Sequence, residues 1–194
     1  VAAGLEENTM EQLGERLRRY RREARKTLLD VAREAGLSVG FLSQAERNLS
    51  GVSLSSLANI ARALNVPMRL LIDQPEQRSP DSHAGQRRRY TTMDRGQSYE
   101  RLSSTFPGSQ INAVKMSLPV GYRSESVTHD GDEFVYVLSG EVCYCVAGVD
   151  YVLQPGDALH FDGRQQHHLA NVGEVAVEVV SVGTLPIFDD VANT

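Results

Sequence analysis

Cysteine is scarce in this chain, and so are long apolar runs and any basic leader. Two cysteines, Cys143 and Cys145, among 194 residues cannot build a disulfide framework. No apolar run approaches the roughly 20 residues that a membrane helix needs. The opening VAAGLEENTMEQ carries acidic residues and lacks a basic segment followed by an apolar one, so it does not read as a secretory signal. A cytoplasmic protein with no membrane partner is the expectation. What is present is ordinary for a globular protein: 41% hydrophobic and 23% charged residues. The length holds one large domain or two small ones.

Charge is unevenly spread. Residues 1–72 hold eleven Lys/Arg against eight Asp/Glu, whereas 73–194 hold nine against seventeen, within a net charge of −5. The first part can meet a polyanion and the remainder repels one.

Hydrophobic periodicity divides the chain at the same place. From Glu11 to Ile72 apolar residues recur at helical spacing, as in Leu13, Leu17 and Tyr20, or Leu54, Leu57, Ile60, Ala61 and Leu64. With Thr27, Ser38 and Ser53 as caps, Gly36 as a stop and Pro67 in a first turn, five helices are expected, at 12–25, 28–35, 39–47, 54–64 and 68–72. Residues 73–89, DQPEQRSPDSHAGQRRR, have no apolar period and read as a flexible linker, with His83 solvated. After Tyr90 come short alternating segments at 111–118, 133–138, 141–148, 151–153, 158–161 and 175–182, separated by Gly, Pro and Asp turns. Such spacing predicts an antiparallel sandwich or barrel. The fold class is thus α then β, with a helical bundle over 1–72 (core 11–72), a linker over 73–89 and a strand domain over 90–194.

The helical half carries its own motif. In LLDVAREAGLSVGFLSQAERN (28–48), helix, Gly-containing turn and helix follow as in a helix-turn-helix, with Ala32 small enough for a close crossing. Together with SLSSLANIARALNVP (53–67), the stretch resembles the Cro/phage-repressor (XRE) class of helix-turn-helix regulators over nearly all of 11–72. The resemblance implies that the second helix of the pair enters the major groove, with Ser38, Val39, Gly40, Ser43 and Gln44 nearest the base edges. Gln44 suits adenine, Ser43 a base or a phosphate, and Val39 a thymine methyl. Arg47, with Thr27, Asn48 and Ser50, suits phosphate contact. Relatives often carry polar amides where this chain has Val39 and Gly40, which leaves more of the readout to DNA shape. RLRRYRREARK (16–26) spreads around its helix and reads first as a solvated face. Glu46 reads as the partner of a helix-1 arginine, since phosphates repel a carboxylate.

In the strand half, Gly121, His129, Glu133 and Gly140, then Gly148, Pro155-Gly156-Asp157, His167 and Asn171, resemble the two signature motifs of the cupin superfamily over about 108–182. Cupins that bind a divalent metal supply two histidines and a carboxylate from the first motif and one histidine from the second. Here His129, Glu133 and His167 match, and the position of the first histidine is Val127, which has no donor atom. The incomplete set suits zinc, iron, nickel or manganese without choosing among them. Alternation places Glu125, Val127 and His129 on one face, which makes Glu125 a reserve ligand, and turns His168 away from His167. His160 and His168 otherwise read as surface histidines. A Ser139-Gly140 hairpin would pair Val137 with Val142, set Glu133 across from Val146, and put Val142, Tyr144 and Val146 inside. Cys143 and Cys145 then face outward with Phe134, Tyr136 and Leu138, on a face apolar enough to pack against a sheet or a second subunit. Effector contacts are expected from Glu125, His129, Glu133, Tyr144 and His167.

A DNA reader joined to a small barrel implies a transcriptional regulator, without catalytic residues, that binds a palindromic operator as a homodimer and responds to a small molecule. End to end the chain resembles regulators of polyamine, amino-acid or peptide catabolism, the putrescine-utilisation repressor group among them. If the effector is cationic, Glu125, Asp130, Asp132 and Glu133 suit it. Two alternatives stand: a metal-dependent dioxygenase or isomerase fused to a DNA-binding module, against which Val127 counts, and a cupin that serves for dimerisation alone.

Overall fold

The computed structural model describes residues 11–92 and 96–188. Residues 1–10 and 189–194, which the sequence reading assigns to the outer ends of the two domains, lie outside the described residues, as does most of the segment weighed as a leader.

Four α-helices are present among the described residues. α1 (Leu13–Glu23) starts at a reciprocal cap between Gln12 and Glu15 and stops before Arg25, whose φ of 55° ends the ladder. α2 (Leu28–Ala35) begins at Thr27, whose hydroxyl accepts from the Asp30 N–H, and ends at Gly36 with φ 68°, a left-handed position that favours glycine. α3 (Val39–Glu46) is capped by Ser38, and α4 (Leu54–Leu64) runs from Ser53 to Asn65. Leu17, Val31, Ala32, Ala35, Leu42, Leu57 and Ile60 form their buried centre. The small Ala32 lies in that centre, as the crossing requires. The expected fifth helix does not form: Met68–Leu70 is a single 3-10 turn after Pro67. Leu71 and Ile72 dive into the core directly behind it, which leaves too few residues to propagate an α-helix.

The strands form two antiparallel sheets. One has the order β1 (Arg89–Tyr90), β2 (Ser98–Arg101), β3 (Asn112–Leu118), β9 (Val177–Gly183), β4 (Asp132–Ser139), β7 (Ala158–Asp162). The other has the order β6 (Val149–Leu153), β5 (Val142–Val146), β8 (His167–Asn171). Val114, Met116 and Leu118, Val135 and Val137, Val142, Tyr144 and Val146, and Val177 and Val179 fill the interior.

One pairing differs from expectation. β4 and β5 are not a hairpin: β4 bonds to β7 and β9, and β5 to β6 and β8. The chain changes sheets at Gly140, whose φ is 76° and whose absent Cβ would stand 2.8 Å from Val177. Because both sheets turn their apolar alternation toward one core, Val142, Tyr144 and Val146 still point inward. Cys143 and Cys145 therefore lie on the outside of one sheet, and Phe134, Tyr136 and Leu138 on the outside of the other. β1 and β2 are absent from the strand segments read above, because RY and SYER show no alternation of polar and apolar types.

The segment before β1 is held against the strand domain. Buried Arg101 donates to the Pro75 carbonyl at 3.1 Å, to the Ser103 carbonyl at 2.8 Å and to the Thr105 hydroxyl at 2.6 Å. Its guanidinium also lies 3.9 Å from the centre of the Phe188 ring.

Candidate functional site

The residues expected to meet DNA lie on and around α3 and before α2. Ser38, Val39, Gly40, Gln44 and Arg47 are exposed, and Ser43 is half-buried. Several have local duties as well. Thr27 and Ser38 cap α2 and α3, and Arg47 Nε donates to the Ser43 carbonyl at 3.2 Å. Asn48, with φ 57°, accepts from the Gly14 N–H at 2.9 Å, which ties its oxygen to the start of α1. Glu46 meets Arg21 through two hydrogen bonds of 2.5 and 2.8 Å, the partner expected for it. That contact holds the Arg21 guanidinium above its ordinary pKa against the opposing effect of burial.

Inside the strand domain, His129, Glu133, Tyr144 and His167 line one cavity of about 70 Å³ together with Val127. Val114, Met116, Leu118, Leu169, Leu185 and Ile187 make its walls apolar. His129, Glu133 and His167 are buried, and one ligand atom from each lies within 4.8 Å of the others. His129 Nε2 stands 3.2 Å, and His167 Nε2 3.7 Å, from the same Glu133 oxygen. Both rings place Nδ1 on a backbone carbonyl, of Asp130 at 3.1 Å and of Gln165 at 2.8 Å. When each Nδ1 carries the proton, each Nε2 lone pair faces inward, the tautomer that a metal ligand needs. His167 Nε2 has no hydrogen-bond partner, and neither has the fully buried Tyr144 hydroxyl. Burial, reinforced by the charge of Glu133, pushes the Tyr144 phenol up, so it stays a donor. Burial opposes a charge on His129, but the hydrogen bond and charge of Glu133 outweigh it and raise its pKa; for His167 burial prevails and lowers it. The donor set fits a divalent cation with three protein ligands.

Val127 takes part through its backbone. Its N–H donates to the His167 carbonyl and its carbonyl accepts from the His167 N–H, both at 2.9 Å. Its side chain lies on the cavity wall and offers no fourth ligand. His168 reaches the cavity rim and pairs with Arg123 at 3.1 Å, while His160 is exposed. Asn171 is structural, its amide donating to the carbonyls of Leu118, Pro119 and Val175.

Glu125 is displaced from the ligand set. Its carboxylate accepts from the Ser53 N–H at 2.9 Å and the Ser53 hydroxyl at 2.8 Å, at the start of α4. Asp130 pairs with Arg62 at 3.5 Å and Asp132 is exposed, and neither lines the cavity. Of the four carboxylates suited to a cation, Glu133 alone lines this cavity, and it is engaged by His129.

Sequence reasoning missed the roof of the cavity, because no periodicity reports how two domains meet. Ser53, Leu54 and Ser55 of α4 line it beside the strand residues. The segment 125–130 makes the joint: besides the Glu125 and Asp130 contacts, the Thr128 carbonyl accepts from Asn59 Nδ2 at 2.8 Å. Thr92 adds a hydrogen bond to the Val52 carbonyl.

Comparison with known proteins finds two families along the chain. Residues 17–71 match the helix-turn-helix family and residues 114–183 the cupin domain family. The HTH-type transcriptional regulator SutR of Escherichia coli (strain K12) is 28% identical over 181 residues, which cover 91% of this chain and 96% of that protein. The HTH-type transcriptional regulator SinR of Bacillus subtilis (strain 168) is 31% identical over 70 residues, 36% of this chain and 63% of that one. Among solved structures, an HTH_3 family transcriptional regulator from Vibrio cholerae superposes with a TM-score of 0.57 at 19% identity, over 91% of this chain and 96% of that one. An RmlC-like cupin from Shewanella frigidimarina does so with a TM-score of 0.50 at 20% identity, over 57% of this chain and 95% of that one. The chain is thus a DNA-binding transcriptional regulator of the XRE helix-turn-helix class that carries a C-terminal cupin domain.

Proposed function

We propose that this regulator is a ligand-responsive repressor that works in the cytoplasm. It binds a palindromic operator as a homodimer, since one recognition helix covers one half-site and two half-sites lie about 34–36 Å apart. Ser38, Val39, Gly40, Ser43 and Gln44 read bases, while Arg47, Thr27 and Asn48 sit at phosphates. The DNA-binding unit is 1–72, the linker 73–89 and the sensing unit 90–194. A small effector of the polyamine, amino-acid or peptide class enters the cupin cavity and meets His129, Glu133, Tyr144 and His167.

The observation that carries this reading is that residues of both domains wall one cavity, Ser53–Ser55 from the DNA-binding side and the buried triad from the other. Occupation of the cavity therefore bears on the placement of the DNA-binding helices. Its present volume of about 70 Å³ corresponds to about two waters at ~30 Å³ each, which favours the smallest ligands of that class over peptides. His129, Glu133 and His167 would hold a divalent cation, which, when bound, supplies a Lewis-acid anchor for an oxygen of the effector. Val127 in place of a fourth ligand favours recognition over turnover, so the cupin is not assigned a catalytic role.

Calorimetric titration of the full chain with putrescine, amino acids and short peptides, with and without added zinc or manganese, tests the proposal. One compound should bind to the wild type and lose at least tenfold in affinity in His167→Ala. Turnover of a substrate with stoichiometric iron or manganese would overturn the proposal in favour of an enzyme.

A further inference from the structure

The joint between the domains contains a carboxylate that behaves as a built-in ligand. Ser53 is the N-cap of α4, an eleven-residue helix whose first turn faces the cavity. The positive end of a helix of that length takes anions. Here the anion is Glu125, from the other domain, whose Oε1 receives both the Ser53 N–H and the Ser53 hydroxyl. The same hydroxyl accepts from the Ser56 N–H at 3.2 Å, so the charge is relayed into the first turn.

Glu125 lines a second cleft, between Phe41, Ser50 and Gly51 on one side and residues 119–124 on the other. The cavity and that cleft share Tyr122 and Ser124 in their walls. A second feature also points to an acceptor-bearing ligand. The Tyr144 hydroxyl, fully buried and without a partner, belongs to the same cavity as Ser53–Ser55.

We propose that the first turn of α4 is a carboxylate site shared by the two domains, filled by Glu125 until the carboxylate of a small acidic effector replaces it. Glu125 is then a positioning residue: it holds α4 over the cavity, and its displacement into the neighbouring cleft loosens the helix-turn-helix from the cupin rim. Asn59 and Arg62, further along α4, keep their contacts to Thr128 and Asp130 and act as the pivot. This deepens the effector reading by naming the chemistry of the ligand, and it rests on that reading for the replacement step alone.

The test needs neither effector nor operator. Amide hydrogen exchange is measured on the full chain for the first turn of α4, in the wild type and in Glu125→Ala, in sodium chloride and in sodium acetate of equal ionic strength. Loss of the Glu125 carboxylate should speed exchange of the Ser53 amide, which donates to it, and of the Ser56 amide behind the Ser53 hydroxyl, roughly five- to tenfold, and acetate, but not chloride, should restore most of the protection. Glu125→Gln, which keeps the acceptor but not the charge, should lose less and also recover in acetate; it carries the test if the alanine variant does not fold. Unchanged exchange in both variants, or recovery that chloride gives equally, overturns the proposal. If the calorimetric search finds no effector while acetate rescue holds, the effector reading falls and the carboxylate site stands.

Discussion

Gly163 shows how closely single residues are fitted around the cavity. A Cβ there would lie 2.4 Å from Cε1 and 2.5 Å from Nδ1 of His129, so the ring occupies the place of a side chain. Gly163→Ala should swing His129 away from Glu133 and weaken zinc or effector binding about 10- to 100-fold. Calorimetry on the folded variant checks this, and unchanged affinity would show that His129 is no ligand. Arg21 and Glu46 test the other domain. Their side chains are 14% and 6% exposed, so removing one partner strands a charge at a cost of about 3–5 kcal/mol. Arg21→Met should show that loss in urea denaturation, and a loss below about 1 kcal/mol would place the pair among surface salt bridges. The pairing of Glu46 was legible in the sequence because a carboxylate near a DNA-reading helix needs a cation to stay. The role of Gly163 was not, since which side chain fills a glycine's space depends on the strand register.

At the scale of elements, the helix-turn-helix was the most legible part, because caps, a left-handed glycine and a small crossing residue are local signals. β1 and β2 were not legible, for their buried Tyr99, Glu100 and Arg101 run without alternation. Glu100 is kept in that interior by Lys115 at 3.1 Å, Arg89 at 3.2 Å and Arg87 at 3.5 Å. Burial would raise its carboxyl pKa, but these cations prevail and hold it below the usual carboxylate value. A depressed folded-state pKa contributes stability that is present above the ordinary carboxylate range and is lost as pH falls through the depressed value. Unfolding followed against pH should therefore show strand-domain stability dropping below about pH 4, and Glu100→Gln should flatten that drop. An unaltered acid limb in the variant would remove Glu100 as its cause. On the DNA face, Gln44→Ala should relax sequence preference, whereas Arg47→Ala should weaken binding to all sequences and reduce the salt slope by about one. Anisotropy titrations at several salt concentrations separate the two, and an unchanged slope in Arg47→Ala would move the helix off the phosphates.

Across the whole molecule, one segment of the joint between the two domains has two jobs. Residues 125–130 carry His129 into the cavity and hold Ser53, Asn59 and Arg62 of α4 from the outside. α4 packs on α2, and α2 on α3, so a change at the cavity has a continuous packed route to the recognition helix. The sequence showed the parts of this route and the unmatched position at Val127, but not the junction, because contacts between residues 72 positions apart leave no local pattern. Val127 itself fits a sensor: its side chain offers no ligand, while its backbone fixes the register of His167.

The central claim is that occupation of the cupin cavity sets the affinity for DNA. The affinity of the full chain for its operator, with and without the compound found by calorimetry, tests it most directly. Coupling of about 1–3 kcal/mol predicts a 5- to 150-fold loss of affinity when the cavity is filled, abolished in His167→Ala. An operator affinity that stays the same while the compound demonstrably binds would contradict the account.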